Sequence, residues 1–173
     1  MVEHEKTGWV DFITLGISRV TMLLPAVITA IMFYEVVMRY VFVKPTLWVN
    51  EMSLWLAGMV YLSAGLYAMQ QRSHIRIFIL YDLMPRWLQR VFDTLSTLFI
   101  CLFAAGVIYG GYGEAKAKLL RWETFGTAFD PPIPATMKPL ILITVAFVAL
   151  QAVSNLICDW NREKEIHLPA IDD

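Results

Sequence analysis

The sequence is poor in charge and in reactive side chains. Charged residues make up 17% of its 173 residues, whereas soluble domains carry about 25%. The formal net charge is −1, and no long basic run occurs. The chain therefore has no electrostatic field that would gather nucleic acid, and nucleic acid is not an expected partner.

Histidine and cysteine are also scarce, and their positions argue against a redox enzyme. His4 and His167 lie in the tails and His74 at a membrane boundary, so no two histidines face each other at mid-membrane to hold a haem. A thiol oxidase would need exposed, paired cysteines near the outer surface, whereas Cys101 lies about seven residues into one apolar run and Cys158 ends another. We therefore predict no enzyme activity, no cofactor and no metal site.

Long apolar runs are abundant, and hydrophobic residues make up 58% of the chain. Three stretches of 20 uncharged residues cover 52–71, 94–113 and 139–158. A helix of about 20 residues crosses a hydrocarbon core about 30 Å thick. Because backbone amides in lipid must be paired within their own element, these runs predict transmembrane helices.

A further span, covering residues 12–42, is less regular. Its uninterrupted uncharged part is residues 20–34, and Pro25 predicts a kink. Glu35 and Arg39, near one end, have the i, i+4 spacing of a helical ion pair. The prediction is an all-α integral membrane bundle of four transmembrane helices, forming one membrane domain over residues 1–173.

The segment between the second and third spans alternates basic and apolar residues. His74, Arg76 and Arg86 are interspersed with isoleucine, leucine and tryptophan. This composition is typical of an interfacial segment that lies among the lipid headgroups.

The loop between the third and fourth spans, residues 114–138, has a different composition. It ends in Asp130-Pro-Pro-Ile-Pro, which predicts an extended, stiff segment. Its aromatic residues Trp122, Phe125 and Phe129 suit either the membrane interface or a docked protein, and both interpretations stay open.

Lysine and arginine indicate the orientation of the chain, because cytoplasmic loops carry an excess of them. Placing both termini in the cytoplasm puts eight basic residues on that side: Lys6, Arg19, Arg72, Arg76, Arg86, Arg90, Arg162 and Lys164. Five lie on the far side: Lys44, Lys116, Lys118, Arg121 and Lys138. We therefore predict that both termini are cytoplasmic and that residues 114–138 face the periplasm.

Ionisable residues deep in the spans would mark a transport pathway, because they are costly in lipid. The three regular spans contain none. Arg39 is expected to be neutralised by Glu35 on the same helix or by Glu51 across the short connection. A self-contained four-helix exporter that uses Glu35 to bind its coupling ion is the alternative to a helical scaffold.

The order of these features resembles the small, DctQ-like membrane subunit of the tripartite ATP-independent periplasmic (TRAP) transporters. The resemblance is carried by Arg39-Tyr-Val-Phe, Trp48-Val-Asn-Glu-Met-Ser, His74-Ile-Arg-Ile and Leu83-Met-Pro-Arg. The family commonly has an acidic residue where this chain has Asn50.

The resemblance implies a bacterial inner-membrane protein with two partners besides the lipid bilayer. These are a large membrane subunit that carries substrate and sodium ions, and a periplasmic substrate-binding protein. The small subunit is implied to brace the large one without binding substrate. The stretch around Trp122, Phe125, Phe129 and Asp130 resembles the subgroup associated with organic acids, and it is expected to contribute to docking of the binding protein.

Overall fold

The structure is a computed structural model that describes residues 9–71 and 85–160. Within those residues it consists of helices and connections, without a strand. The helices are α1 (Trp9–Thr21), α2 (Leu24–Tyr40), α3 (Val49–Gln70), α4 (Arg86–Leu120) and α5 (Ile133–Asp159).

Among the described residues, four stretches are long and apolar enough to cross a membrane: Val10–Tyr40, Val49–Gln70, Arg86–Leu120 and Ile133–Asp159. Large apolar side chains cover the outside of the bundle, among them Phe33, Tyr61, Phe103 and Ile157. An apolar exterior suits lipid as the surrounding solvent. The predicted all-α class with four spans is therefore confirmed, while the predicted interfacial segment with His74 and Arg76 lies outside the described residues.

The first span consists of two helices. α1 ends at Thr21, and α2 begins at Leu24 with Pro25 in its first turn. Pro25 has no amide hydrogen to donate to the carbonyl four residues earlier, that of Thr21, and its ring crowds that carbonyl. The kink predicted at Pro25 thus takes the form of a break in the helix just before it.

The other spans are parts of longer helices. α4 has 35 residues and α5 has 27, so both continue well beyond the uncharged stretches 94–113 and 139–158. Charged side chains do not end a helix where it passes through the headgroups, which is why hydropathy underestimates its length. The prediction of an extended loop over 114–138 is wrong at both ends, because only residues 121–132 connect α4 to α5.

The helices pack in a simple order. α4 packs on α5, α5 on α3, and α3 on both α1 and α2. Glycines permit two of these approaches: a Cβ at Gly58 would lie 3.1 Å from the sulfur of Met137, and one at Gly111 would lie 2.9 Å from a methyl of Leu142. Small residues at helix crossings let backbones come close in membranes.

The interior of the bundle contains as much polar as apolar material. Its buried apolar residues include several alanines, such as Ala104, Ala135 and Ala152. The largest fully buried side chains include three glutamines, Gln70, Gln89 and Gln151. The candidate functional residues must therefore be sought among these enclosed polar groups.

Candidate functional site

A buried polar cluster, the amide junction, joins α1, α3 and α5 at the end of the bundle where α1 begins. It comprises Asp11, Thr14, Gln151, Asn155 and the backbone carbonyl of Met69. Gln151 is central: its Nε2 donates to Oδ1 of Asp11 at 2.5 Å and to Oδ1 of Asn155 at 2.9 Å. Its Oε1 accepts from Oγ1 of Thr14 at 3.1 Å.

Asn155 extends the junction to a third helix. Its Nδ2 donates to the carbonyl of Met69 at 2.8 Å, which lies in the last turn of α3, where carbonyls lack a partner within the helix. Thr14 and Gln151 are fully buried, and Asp11 is 2% exposed. Because lipid offers no hydrogen-bond partner, these groups satisfy one another.

Helical spacing explains how the sequence builds the junction. Asp11, Thr14 and Ser18 have i, i+3, i+7 spacing on α1, and Gln151 and Asn155 have i, i+4 spacing on α5. Each set therefore lies on one face of its helix. The polar face of α1 points inward while Phe12 and Ile13 are exposed, as expected of a helix surrounded by lipid.

Arg86 lies near the amide junction, where the start of α4 meets the end of α5. It is the first residue of α4, and its Nη2 donates to the carbonyl of Asp159 at 3.1 Å, at the end of α5. Its Nη1 donates to Oε1 of the buried Gln89 at 3.3 Å. Arg86, for which the sequence predicts an interfacial position, ties α4 to α5 in the structure.

A second polar cluster, the Glu35 cluster, lies at the other end of α2. Oε1 of Glu35 accepts from Nε of Arg39 at 3.0 Å and from Nη2 at 2.5 Å. Oε2 accepts from the backbone N–H of Thr46 at 2.9 Å and from its hydroxyl. The Glu35 side chain is 6% exposed, whereas that of Arg39 is 46% exposed. Both oxygens of Glu35 are thus occupied by groups of this chain.

Glu51 does not join this cluster. Its Oε2 is buried and has no hydrogen-bond partner among the described residues. Of the two partners predicted for Arg39, the structure pairs it with Glu35. The shorter separation explains the choice, since residues i and i+4 are neighbours on a helix surface.

The loop of residues 121–132 holds its shape by its own hydrogen bonds. The N–H of Gly126 donates to Oδ1 of Asp130 at 2.8 Å, and the N–H of Phe125 donates to the carbonyl of Pro131 at 3.0 Å. Trp122 and Asp130 have positive φ angles of 48° and 53°. Asp130, predicted as a docking residue, is thereby part of the internal scaffold of the loop.

The three aromatic residues of this loop project outward. Trp122 is 59% exposed, Phe125 43% and Phe129 40%. Ion pairs flank the loop on either side, between Lys118 and Glu123 and between Lys138 and Glu114. A stable loop that presents several aromatic rings is a surface that can contact lipid or a protein.

Comparison with protein families decides what kind of protein this is. A family model described as the DctQ component of tripartite ATP-independent periplasmic transporters matches residues 28–162. The chain belongs to this family. A search of curated proteins gives no match.

A DctQ component is a small membrane subunit of a TRAP transporter and not an enzyme. The family works with a large membrane subunit and a substrate-binding protein. Together with the four apolar helices, membership indicates a multi-pass protein of the inner membrane. The matched range includes the Glu35 cluster and the α5 half of the amide junction, whereas Asp11 and Thr14 precede it.

Sequence reasoning missed the amide junction altogether. Its one visible signal was the i, i+4 pair of Gln151 and Asn155 in an otherwise apolar run. Amides in a span are costly unless paired, so that spacing indicates a helix face directed toward other polar groups.

Proposed function

We propose that this DctQ component is a static scaffold in a sodium-coupled, binding-protein-dependent transporter of organic acids. It braces the large transport subunit, and its loop of residues 121–132 contributes to docking of the periplasmic binding protein. Both termini are cytoplasmic in this proposal. Its main support is that the polar groups of the amide junction hydrogen-bond to one another across three helices.

The amide junction supports a scaffold better than a carrier. Gln151 bonds to Asp11, Thr14 and Asn155 at once, and those bonds would have to break for an ion to bind there. Hydrogen bonds that connect three helices favour one fixed arrangement.

The Glu35 cluster argues against the alternative of a self-contained exporter. A carboxylate that binds a coupling ion needs an oxygen free to receive it. Both oxygens of Glu35 are occupied by Arg39 and Thr46, and Arg39 already supplies a positive charge. We therefore assign Glu35 to holding the turn after α2.

Transport assays test the scaffold role. Vesicles containing both membrane subunits, supplied with binding protein and a labelled organic acid, should take up the acid when a sodium gradient is applied. Vesicles containing this chain alone should show no uptake. Uptake by the isolated chain, abolished by Glu35→Gln, would establish the exporter instead.

The docking role is tested with the same vesicles. Trp122→Ala and Phe129→Ala should raise the concentration of binding protein needed for half-maximal uptake, because aromatic residues commonly dominate protein contacts. Tyr61→Ala is a matched control, since Tyr61 is 79% exposed but lies within α3. An equal effect of all three substitutions would contradict docking by the loop.

Labelling tests the orientation. Cysteines introduced at Ser73 and Thr127, in a variant without Cys101 and Cys158, should react with a membrane-impermeant reagent from opposite sides. In cells with a permeable outer membrane only the residue at 127 should react. Labelling at 73 under those conditions would reverse the proposed topology.

A further inference from the structure

Arg90 is a half-buried charged side chain that has no counter-ion among the residues that the structure describes. It lies one turn after Arg86 on α4 and is half-buried. Its Nε is buried and has no hydrogen-bond partner, and the guanidinium makes no ion pair within the part of the chain that the structure describes. Arg39 and Arg86, by contrast, both have oxygen acceptors.

The one described partner of this guanidinium is an aromatic ring. The central carbon of the Arg90 guanidinium lies 5.4 Å from the centroid of the Trp160 ring. Trp160 follows the last residue of α5 and is 44% exposed. The indole covers the guanidinium and Nε is enclosed, so the η nitrogens are the donors left for a ligand.

The position of the pair corresponds to the lipid headgroups. α4 begins at Arg86 and α5 ends at Asp159, so Arg90 and Trp160 lie where the apolar spans give way to polar residues. Tryptophan and arginine are both enriched at this depth. The positive end of the α4 dipole points the same way and favours an anion.

The two described carboxylates near Arg90 in the sequence or at the adjoining helix end do not pair with it. Asp93 lies on the next turn of α4, and Asp159 ends α5. Neither forms an ion pair with Arg90, and each is engaged in another interaction. A partly desolvated guanidinium without a counter-ion costs free energy, and an anion from the surroundings would remove that cost.

We propose that Arg90, stacked on Trp160, binds the phosphate of an anionic phospholipid such as phosphatidylglycerol. The η nitrogens donate to phosphate oxygens, a geometry in which the planar guanidinium gives two parallel hydrogen bonds. Exposed apolar side chains farther along α4, Val91, Leu95 and Leu98, then offer a surface to the acyl chains. The proposal does not depend on the scaffold role or on the orientation of the chain.

Lipid titration of the purified full-length chain tests this site. Native mass spectrometry in a neutral detergent would compare phosphatidylglycerol with phosphatidylcholine carrying the same acyl chains. Wild type should retain phosphatidylglycerol preferentially, and Arg90→Gln should weaken its binding about tenfold, as for the loss of one charge-assisted contact. Arg90→Lys, which keeps the charge but loses the planar stack, should give an intermediate value.

Arg121→Gln is the matched control, because Arg121 is an exposed arginine at the opposite end of α4. It should leave phosphatidylglycerol binding within about twofold of wild type. Circular dichroism would verify that each variant keeps its helix content.

Three results would overturn the proposal. Equal phosphatidylglycerol binding by wild type and by both Arg90 variants would show that Arg90 does not bind the lipid. Equal retention of phosphatidylcholine would show that the lipid's net charge is not recognised. Displacement of the lipid by inorganic phosphate at similar concentration would identify a soluble anion as the ligand.

Discussion

The amide junction and the Glu35 cluster each enclose a carboxylate within the bundle. They differ in which residues supply its hydrogen-bond partners. Glu35 is held by residues 4 and 11 positions away, next to a side chain that is nearly half exposed. Asp11 is held by Gln151, which lies 140 positions away and is fully buried. The first cluster fixes a turn, whereas the second holds the first and last helices together.

The largest effect is expected from Gln151→Leu. This change removes the partner that Asp11, Thr14 and Asn155 share, and buried polar groups left unpaired cost about 1–3 kcal/mol each. We expect the free energy of unfolding in detergent to fall by about 2–4 kcal/mol, since the other bonds of these groups compensate in part. Denaturant titration followed by circular dichroism measures it.

Leu150→Ala is the control for that measurement. Leu150 is the neighbouring residue and is 57% exposed, so its loss should matter little where lipid or detergent surrounds it. If the two substitutions have equal effects, the junction does not hold the bundle together.

A smaller and more local effect is expected from Glu35→Gln. The amide retains an acceptor for Thr46 but no longer neutralises Arg39, so the turn between α2 and α3 should open more often. Hydrogen exchange should accelerate in residues 41–48 and remain unchanged in α5. Acceleration throughout the chain would mean that the Glu35 cluster, too, supports the whole bundle.

A weaker effect still is expected from Arg39→Ala. The exposed side chain contributes through a partly solvated ion pair, which is typically worth about 1 kcal/mol or less. Lys44→Ala should have no measurable effect, because Lys44 is exposed and makes no described ion pair. If both variants unfold at the same denaturant concentration as wild type, the headgroup region neutralises Arg39 without Glu35.

The smallest effect is expected from Lys138→Gln. Its ion pair with Glu114 joins α5 to α4 at the bundle surface, where both side chains are exposed. Solvent and salt screen such pairs, so the unfolding midpoint should stay within error of wild type. A clear loss of stability would show that a surface pair can hold α4 as firmly as a buried amide holds α1.

The comparison also explains what could be predicted from the sequence. Three spans follow from runs of uncharged residues and the first from a longer, mostly apolar stretch. The Glu35–Arg39 spacing indicates a pair because the two residues are one helical turn apart. No local pattern connects Asp11 with Gln151, since their contact depends on how α1 and α5 pack around α3. The break before Pro25 was predictable in position, because proline removes a specific backbone hydrogen bond.

The loop of residues 121–132 was also predicted only in part from the sequence. Its composition indicated an extended, proline-stiffened segment with aromatic residues suited to the membrane interface or to a docked protein, and in the structure those aromatic residues are exposed. Its length was overestimated, because the helices on both sides continue through charged residues. The role of Asp130 in holding Gly126 was likewise not evident from composition.

The length of α4 determines how far this loop lies from the uncharged part of that helix. At about 1.5 Å per residue, its 35 residues extend about 52 Å, whereas the hydrocarbon core is about 30 Å thick. Residues 114–120 continue the helix for about 10 Å beyond its uncharged part. The loop therefore follows a helical extension of the span. Deleting one turn of this extension would bring the aromatic rings of the loop about 5 Å closer to the uncharged part of α4. In the proposed docking role, the number of residues in α4 would therefore set how far from the apolar span a soluble partner meets those rings.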